Sequence, residues 1–225
     1  MASVHDGHRE RVKRQFYEHG GESLTDIQFL EMLLFYAIPR RDTNELAHAL
    51  LERYGSLREV LDAEPGDLMK VPGTGESTAL LLRTVREALR RYTSEPARDI
   101  RYISSHADAG KYFVHILQYE PIEKVYLMCI NGRGAIVGCP EIASGTLSAV
   151  NLNIRMIVDE AVRRRSVCVV LAHNHPEGFA LPSAEDRAFT IELKHALELM
   201  DIKLYDHIIV AEDDYVSFAE SGYLY

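Results

Sequence analysis

The feature that most constrains the fold is a pair of histidines at the end of an apolar strand. Residues 167–171 are apolar and mostly β-branched, which predicts a buried strand. His173 and His175 follow this run, and side chains two positions apart on an extended chain point the same way. Pro176 and Gly178 then end the strand.

A helix predicted to begin at Ser183 brings a carboxylate to the same place. Asp186 lies in the first turn of that helix, and the connecting loop folds it back toward the imidazoles. Two imidazoles and one carboxylate around an open position are the ligand set expected of a catalytic zinc ion. The alternative is structural: a packed histidine pair, with Ser183 and Asp186 capping a helix. The combined spacing of histidine, proline, serine and aspartate favours metal.

This spacing resembles the metal motif of the MPN/JAMM metalloproteases, in which His-x-His-Pro is followed, after six residues, by Ser-x-x-Asp. The residues that carry the resemblance are His173, His175, Pro176, Ser183 and Asp186. Asn174 between the histidines, together with residues 205–210 and 215–218, narrows it to the bacterial RadC branch. The resemblance implies a Zn²⁺ ion held by the two histidines and Asp186, and cleavage of a peptide or isopeptide bond in a polypeptide substrate.

A zinc hydrolase also needs a carboxylate that takes a proton from water and returns it to the leaving group. The resemblance implies a glutamate at the start of an early strand, and by position this is Glu123. Glu141, at the end of the next strand, is the alternative, and spacing alone does not decide between them. Ser183 is expected to donate a hydrogen bond to the developing oxyanion as well as to cap its helix. His207 is interpreted as a structural histidine, and a role as a partner of the metal ligands is the less favoured alternative.

The second part of the chain, residues 100–225, alternates helices and strands. Helices are predicted over residues 105–119, 151–165 and 183–200, and strands over 123–130, 135–142, 167–172, 203–210 and 215–218. Helices packed on a mixed sheet give an α/β sandwich, in agreement with the cytidine-deaminase-like fold that the MPN/JAMM resemblance implies.

Residues 1–95 are predicted to form a small all-helical domain, joined to the second by a polar linker at residues 93–99. Its segment Val-Pro-Gly-Thr-Gly, ending at Gly75 before a long helix, resembles a helix-hairpin-helix motif. There Gly73 and Gly75 would let backbone amides approach a DNA phosphate, and Arg83 would add charge. Glu76 and an excess of acidic over basic residues in this domain oppose DNA contact, so helix packing alone is the alternative.

Charge and composition limit the remaining possibilities. The 225 residues carry a net charge of −9, which gives no global basic field for nucleic acid. The three cysteines form no C-x-x-C pair, which indicates a reducing compartment and a metal bound without thiolate. We expect a cytoplasmic protein with no membrane partner, because no leader pattern or spanning apolar run occurs.

Two functions are therefore expected. The first is a zinc metalloprotease whose N-terminal domain can target DNA. The second is a DNA-binding or DNA-repair protein whose metal domain acts on nucleic acid or is catalytically vestigial.

Overall fold

The computed structural model describes residues 4–145, 152–176 and 178–224. The chain separates into two compact units, residues 1–89 and 90–225. Among the described residues, no helix has both the length and the apolar character needed to cross a membrane. The three cysteines are free thiols, of which Cys129 is buried.

The first unit is helical, as predicted. Its helices are α1 (Val4–His19), α2 (Asp26–Ala37), α3 (Asn44–Tyr54), α4 (Leu57–Asp62), α5 (Pro65–Leu68) and the start of α6 (Glu76–Asp99). Thr25 begins α2 with a capping box, in which its hydroxyl accepts from the Gln28 amide and the Gln28 side chain accepts from the Thr25 amide. Gly55 ends α3 at φ 89°, a conformation that costs glycine little. The core is a cluster of leucines that includes Leu30, Leu50 and Leu82, all fully buried.

The second unit is a mixed sheet with helices on both faces. After the last residues of α6 come α7 (His106–Leu117), β1 (Lys124–Ile130), β2 (Ile136–Gly138), β3 (Glu141–Ser144), α8 (Ile154–Arg163), β4 (Cys168–Asn174), α9 (Ala184–Glu198), β5 (Lys203–Ala211) and β6 (Asp214–Ser217). The strand order is β2-β1-β4-β5-β6, and β3 also pairs with β1. Among these described strands, β4 and β5 pair in parallel and the remaining pairs are antiparallel.

Alternation along β4 assigns its residues to the two faces of the sheet. Val169 and Leu171 pack with α8 and α9 in one buried cluster. Val170 and Ala172 pack with α7 in another. His173 continues the first set, so its imidazole lies on the face that carries α9.

Three predicted elements differ from the structure. The strand predicted over 135–142 is divided into two strands, because Pro140 has no amide hydrogen to donate to the neighbouring strand. The carbonyl of Pro140 still accepts a hydrogen bond from the Leu127 amide. The helix predicted over 151–165 begins at Ile154, where the Asn153 side chain caps it, and ends before Arg165 at φ 55°. The predicted first residue of that helix, 151, lies outside the described residues.

The segment predicted to be a linker, residues 93–99, is the end of helix α6. Ala97 is 2% exposed and packs in the apolar cluster of the second unit with Tyr112 and Phe113. The helix therefore continues through Pro96, where a proline is unfavourable, and the buried contacts of Ala97 favour this last turn.

Candidate metal centre

Three side chains converge where β4 ends beside the first turn of α9. The Nε2 atoms of His173 and His175 are 3.0 Å apart. Oδ1 of Asp186 lies 3.3 Å from Nε2 of His173, and Oδ2 lies 3.8 Å from Nε2 of His175. Among the described residues, this is the one group of histidine, cysteine or acidic side chains arranged so that it could hold a metal ion.

A chain of hydrogen bonds behind His173 fixes which of its nitrogens carries the proton. The Thr190 hydroxyl donates to the backbone carbonyl of Asp186 at 2.5 Å, so its oxygen accepts from Nδ1 of His207 at 2.6 Å. Nε2 of neutral His207 must then accept from Nδ1 of His173, which lies 2.9 Å away. Nε2 of His173 therefore carries no proton, and its lone pair faces the Asp186 carboxylate.

His175 is held in the matching orientation by its own loop. Its Nδ1 lies 3.0 Å from the carbonyl oxygen of Phe179, which can only accept a hydrogen bond. Nδ1 therefore carries the proton, and in the neutral ring Nε2 is a second lone pair. Two bare ring nitrogens and a carboxylate oxygen then face one another, an arrangement that a cation satisfies.

The Asp186 carboxylate takes part in both the helix cap and the site. Oδ2 accepts from the Ser183 amide at 2.9 Å and from the Ser183 hydroxyl at 2.6 Å. The Ser183 oxygen accepts in turn from the Asp186 amide at 3.0 Å, which completes a capping box at the start of α9. The hydroxyl proton of Ser183 is directed at Asp186 here, while Oδ1 approaches His173 and Oδ2 approaches His175.

The pKa values favour the ligand forms of these groups. Burial lowers the pKa of His173 to about 4, although attraction to Asp186 partly opposes the shift. Burial, followed by His173, lowers the pKa of His207 well below its usual range. Burial by itself would raise the pKa of Asp186, but His173 and the hydrogen bonds from Ser183 hold it below its usual value.

An open cavity of about 470 Å³ adjoins His175. The described residues that line it are two prolines, two glycines, one aliphatic residue, a histidine and a glutamate: Pro121, Pro176, Gly145, Gly178, Ile122, His175 and Glu123. A cavity with a mostly apolar wall and a few polar groups is typical of a small binding site.

The two candidate glutamates lie on different faces of the sheet. Val125 pairs directly with His173 across β1 and β4, so the side chains of both are on one face, and Glu123 is two residues before Val125. Glu141 pairs with Tyr126 on the opposite face. Its carboxylate accepts from the Tyr126 hydroxyl at 3.1 Å and lies 3.5 Å from Nζ of Lys124. The structure therefore brings Glu123, and not Glu141, to the side of the histidines.

Thr190 is not identified by the sequence analysis, which also underestimates the role of His207 at the site. Both are 1% exposed, and together they connect His173 to the backbone of Asp186. The sequence favours a structural histidine at position 207 over a partner of the ligands, but His207 contacts a candidate ligand directly. The sequence places His207 on a predicted strand, but its position opposite Leu171 follows from the pairing of that strand with β4, for which the sequence holds no signal.

The hairpin residues lie in the first unit. Gly73 has φ 94°, the Thr74 amide bonds to the Val71 carbonyl at 3.0 Å, and Gly75 immediately precedes α6 with open space around its Cα. Arg83 lies 3.8 Å from Glu64, so its charge already faces a carboxylate.

Comparison with known proteins agrees with this geometry. Residues 103–223 match the family model described as a RadC-like JAB domain. A UPF0758 protein of Xylella fastidiosa (strain 9a5c) is 34% identical over 215 residues, 96% of each chain. One from Bordetella petrii is 36% identical with the same coverage, and one from Burkholderia mallei (strain SAVP1) is 35% identical over 96% of this chain and 78% of its own. The match supports a metallohydrolase-like fold, and JAB domains usually bind a metal. The chain belongs to the RadC family, with its JAB domain in the second unit.

Proposed function

We propose that this protein is a zinc-dependent hydrolase that cleaves a peptide or isopeptide bond, with His173, His175 and Asp186 as the metal ligands. The observation that carries the proposal is the convergence of two unprotonated Nε2 atoms on one carboxylate, each with its Nδ1 engaged elsewhere. Two nitrogens and one oxygen match the donor set of catalytic zinc and leave a position open. A zinc ion held there would act as a Lewis acid that lowers the pKa of a water and polarises the scissile carbonyl.

The residues around the ligands have separable tasks. Glu123, on the wall shared with His175, takes the proton of the attacking water and delivers it to the leaving amine. His207 and Thr190 keep His173 in its Nδ1-protonated form. Ser183 orients the Asp186 carboxylate, and rotation of its hydroxyl would give a donor for the oxyanion of the substrate. The cavity beside Glu123 accepts the polypeptide next to the scissile bond.

The first test combines metal content with activity. Purified protein is expected to carry about one zinc per chain by elemental analysis, as a single site of three protein ligands implies. The same preparation is then assayed against broad libraries of fluorogenic peptides and isopeptide-linked conjugates. Absence of cleavage at full metal occupancy would sink the hydrolase proposal, and absence of metal after reconstitution would sink the ligand assignment as well.

DNA binding by the first unit is a second candidate function, favoured by the conformation at the start of α6. Gly73 has a positive φ, and no atom lies near the position that a Cβ would take at Gly75, which leaves room for a phosphate at the start of α6. Such binding would serve to deliver the JAB domain to a target on a duplex.

A further inference from the structure

The asparagine between the two histidines makes three hydrogen bonds to one short segment. Asn174 is 2% exposed. Its Oδ1 accepts from the Lys124 amide at 2.8 Å, and its Nδ2 donates to the carbonyls of Glu120 at 3.1 Å and Ile122 at 3.0 Å. Only one orientation of the carboxamide satisfies one amide and two carbonyls, so the network also fixes which atom is oxygen.

These partners surround Glu123 along the chain. The carbonyl of Ile122 and the amide of Lys124 are the backbone groups on either side of it, and both bond to Asn174. From the other side, the Glu123 carbonyl accepts from the Gly145 amide at 2.9 Å, at the end of β3. The backbone of Glu123 is thus fixed from two directions, one of which is the strand that carries the histidines.

The chemistry of these bonds requires an asparagine. An aspartate at this position has no donor for the two carbonyls, and a serine has a single hydroxyl proton. Asn174 is also separate from the ligand set, because alternation along β4 places it on the face opposite the two imidazoles. A buried group with one acceptor and two donors, all satisfied, is costly to remove.

We propose that Asn174 is a positioning residue for Glu123: it ties the backbone of the general base to the residue that lies covalently between the two ligands. The inference rests on the proposed hydrolase function for the role of Glu123. Because His173, Asn174 and His175 are consecutive, this connection holds the backbone of Glu123 in a fixed position relative to the two histidines. Displacement of a reacting group by about 1 Å can cost about a hundredfold in rate.

The test uses Asn174→Ala, which removes all three bonds, and Asn174→Asp, which retains the acceptor for Lys124 and removes both donors. The matched control is Asn131→Ala at the other end of β1, because the Asn131 side chain also bonds to the backbone of a short segment, accepting from the amides of Arg133 and Ala135. The full-length, zinc-loaded protein is examined for metal content, for amide hydrogen exchange of residues 120–125, and for kcat and KM on the best fluorogenic substrate.

We expect zinc to be retained in all three variants. Exchange of the Lys124 amide should accelerate about tenfold in Asn174→Ala, as the loss of one buried hydrogen bond implies, and stay unchanged in Asn131→Ala. The kcat of both Asn174 variants should fall about tenfold to a hundredfold with little change in KM. In a Glu123→Gln background, Asn174→Ala should cause no further loss, since it acts through Glu123.

Three results would overturn the inference: unchanged Lys124 exchange in Asn174→Ala, loss of zinc with either folded variant, or a full additional loss of kcat in the Glu123→Gln background. If wild-type protein cleaves nothing, the hydrolase proposal fails. Accelerated exchange at Lys124 would then still support the structural connection, and unchanged exchange would remove it.

Discussion

Nδ1 of His173 lies 2.9 Å from Nε2 of His207, so a candidate ligand and a buried histidine of the neighbouring strand form one hydrogen-bonded pair. The proton assignment of this pair depends on Thr190, whose single hydroxyl proton is used on the Asp186 carbonyl. The Thr190 hydroxyl therefore determines which nitrogen of the His173 ring carries the proton, although two hydrogen bonds separate the two side chains.

Thr190→Val tests this dependence while nearly preserving side-chain volume. We expect zinc affinity to fall about tenfold to a hundredfold, the usual cost of losing a residue that orients a metal ligand. Competition with a chromogenic chelator measures the change. Thr84→Val is the matched control, because Thr84 is also a helical threonine whose hydroxyl bonds to the carbonyl four residues earlier. Equal affinity in the two variants would contradict the assignment.

Substitutions at the ligands and at the base should separate binding from turnover. His173→Ala and Asp186→Ala are expected to lose zinc and activity together, since each removes one of three ligands. Glu123→Gln should retain zinc and lose turnover by about a hundredfold or more, the range of general acid–base catalysis. Glu141→Gln is the control, because its carboxylate lies on the other face. Full activity in Glu123→Gln with an inactive Glu141→Gln would reverse the choice of base.

Acid should destabilise the metal-free protein through His173. Its pKa is about 4 in the folded state and near 6.5 when unfolded, so the unfolded chain binds more protons between these values. The contribution of His173 to the free energy of unfolding is present above pH 6.5 and is lost as pH falls toward 4. The pKa of His207 is lowered in the same way, so His207 adds to the loss. We expect the Tm of the metal-free protein to drop on the order of 5 °C between pH 7 and pH 5.

Differential scanning calorimetry in chelator measures this drop. His173→Gln should show a smaller one. The exposed His195, replaced by glutamine, should leave it unchanged. A pH dependence identical in all three proteins would exclude His173 as its source.

The hairpin of the first unit predicts salt-dependent DNA binding. Gly75→Glu adds a negative charge at the start of α6 without backbone strain or a close contact. We expect it to abolish binding of a labelled duplex measured by fluorescence anisotropy, and the wild-type affinity to fall as salt rises. Gly7→Glu adds the same charge to α1 in open space and should bind as wild type. Wild-type protein that binds no duplex at low salt would remove the DNA function.

The parts of the site that sequence predicted are those encoded by short spacing. His173, His175, Ser183 and Asp186 occupy one strand end, one loop and one helix turn, so their convergence follows from local geometry. The partnership of His173 with His207, and of Asn174 with the segment before β1, depends on which strands pair and in which register. The register of paired strands cannot be read from a single sequence. The choice between Glu123 and Glu141 therefore required the strand pairing seen in the structure.

The fold was predictable to a similar extent. Alternation of helices and strands predicted the α/β layers and most element positions. The continuation of α6 through Pro96 was not predictable, because it depends on the burial of Ala97 against residues distant in the chain. The break at Pro140 was readable in principle, since proline cannot complete the ladder of a continuous strand.

Asp186 takes part in both the cap of α9 and the candidate metal site, and this double role affects how the domain unfolds locally. This carboxylate secures the first turn of α9 through Oδ2 and faces the histidine pair with both oxygens. Occupancy of the site and fraying of this helix are therefore thermodynamically linked, since a bound ion stabilises only the closed form. Removal of the ion should open the start of α9 as a local unfolding unit, while the strands beneath it stay protected from exchange.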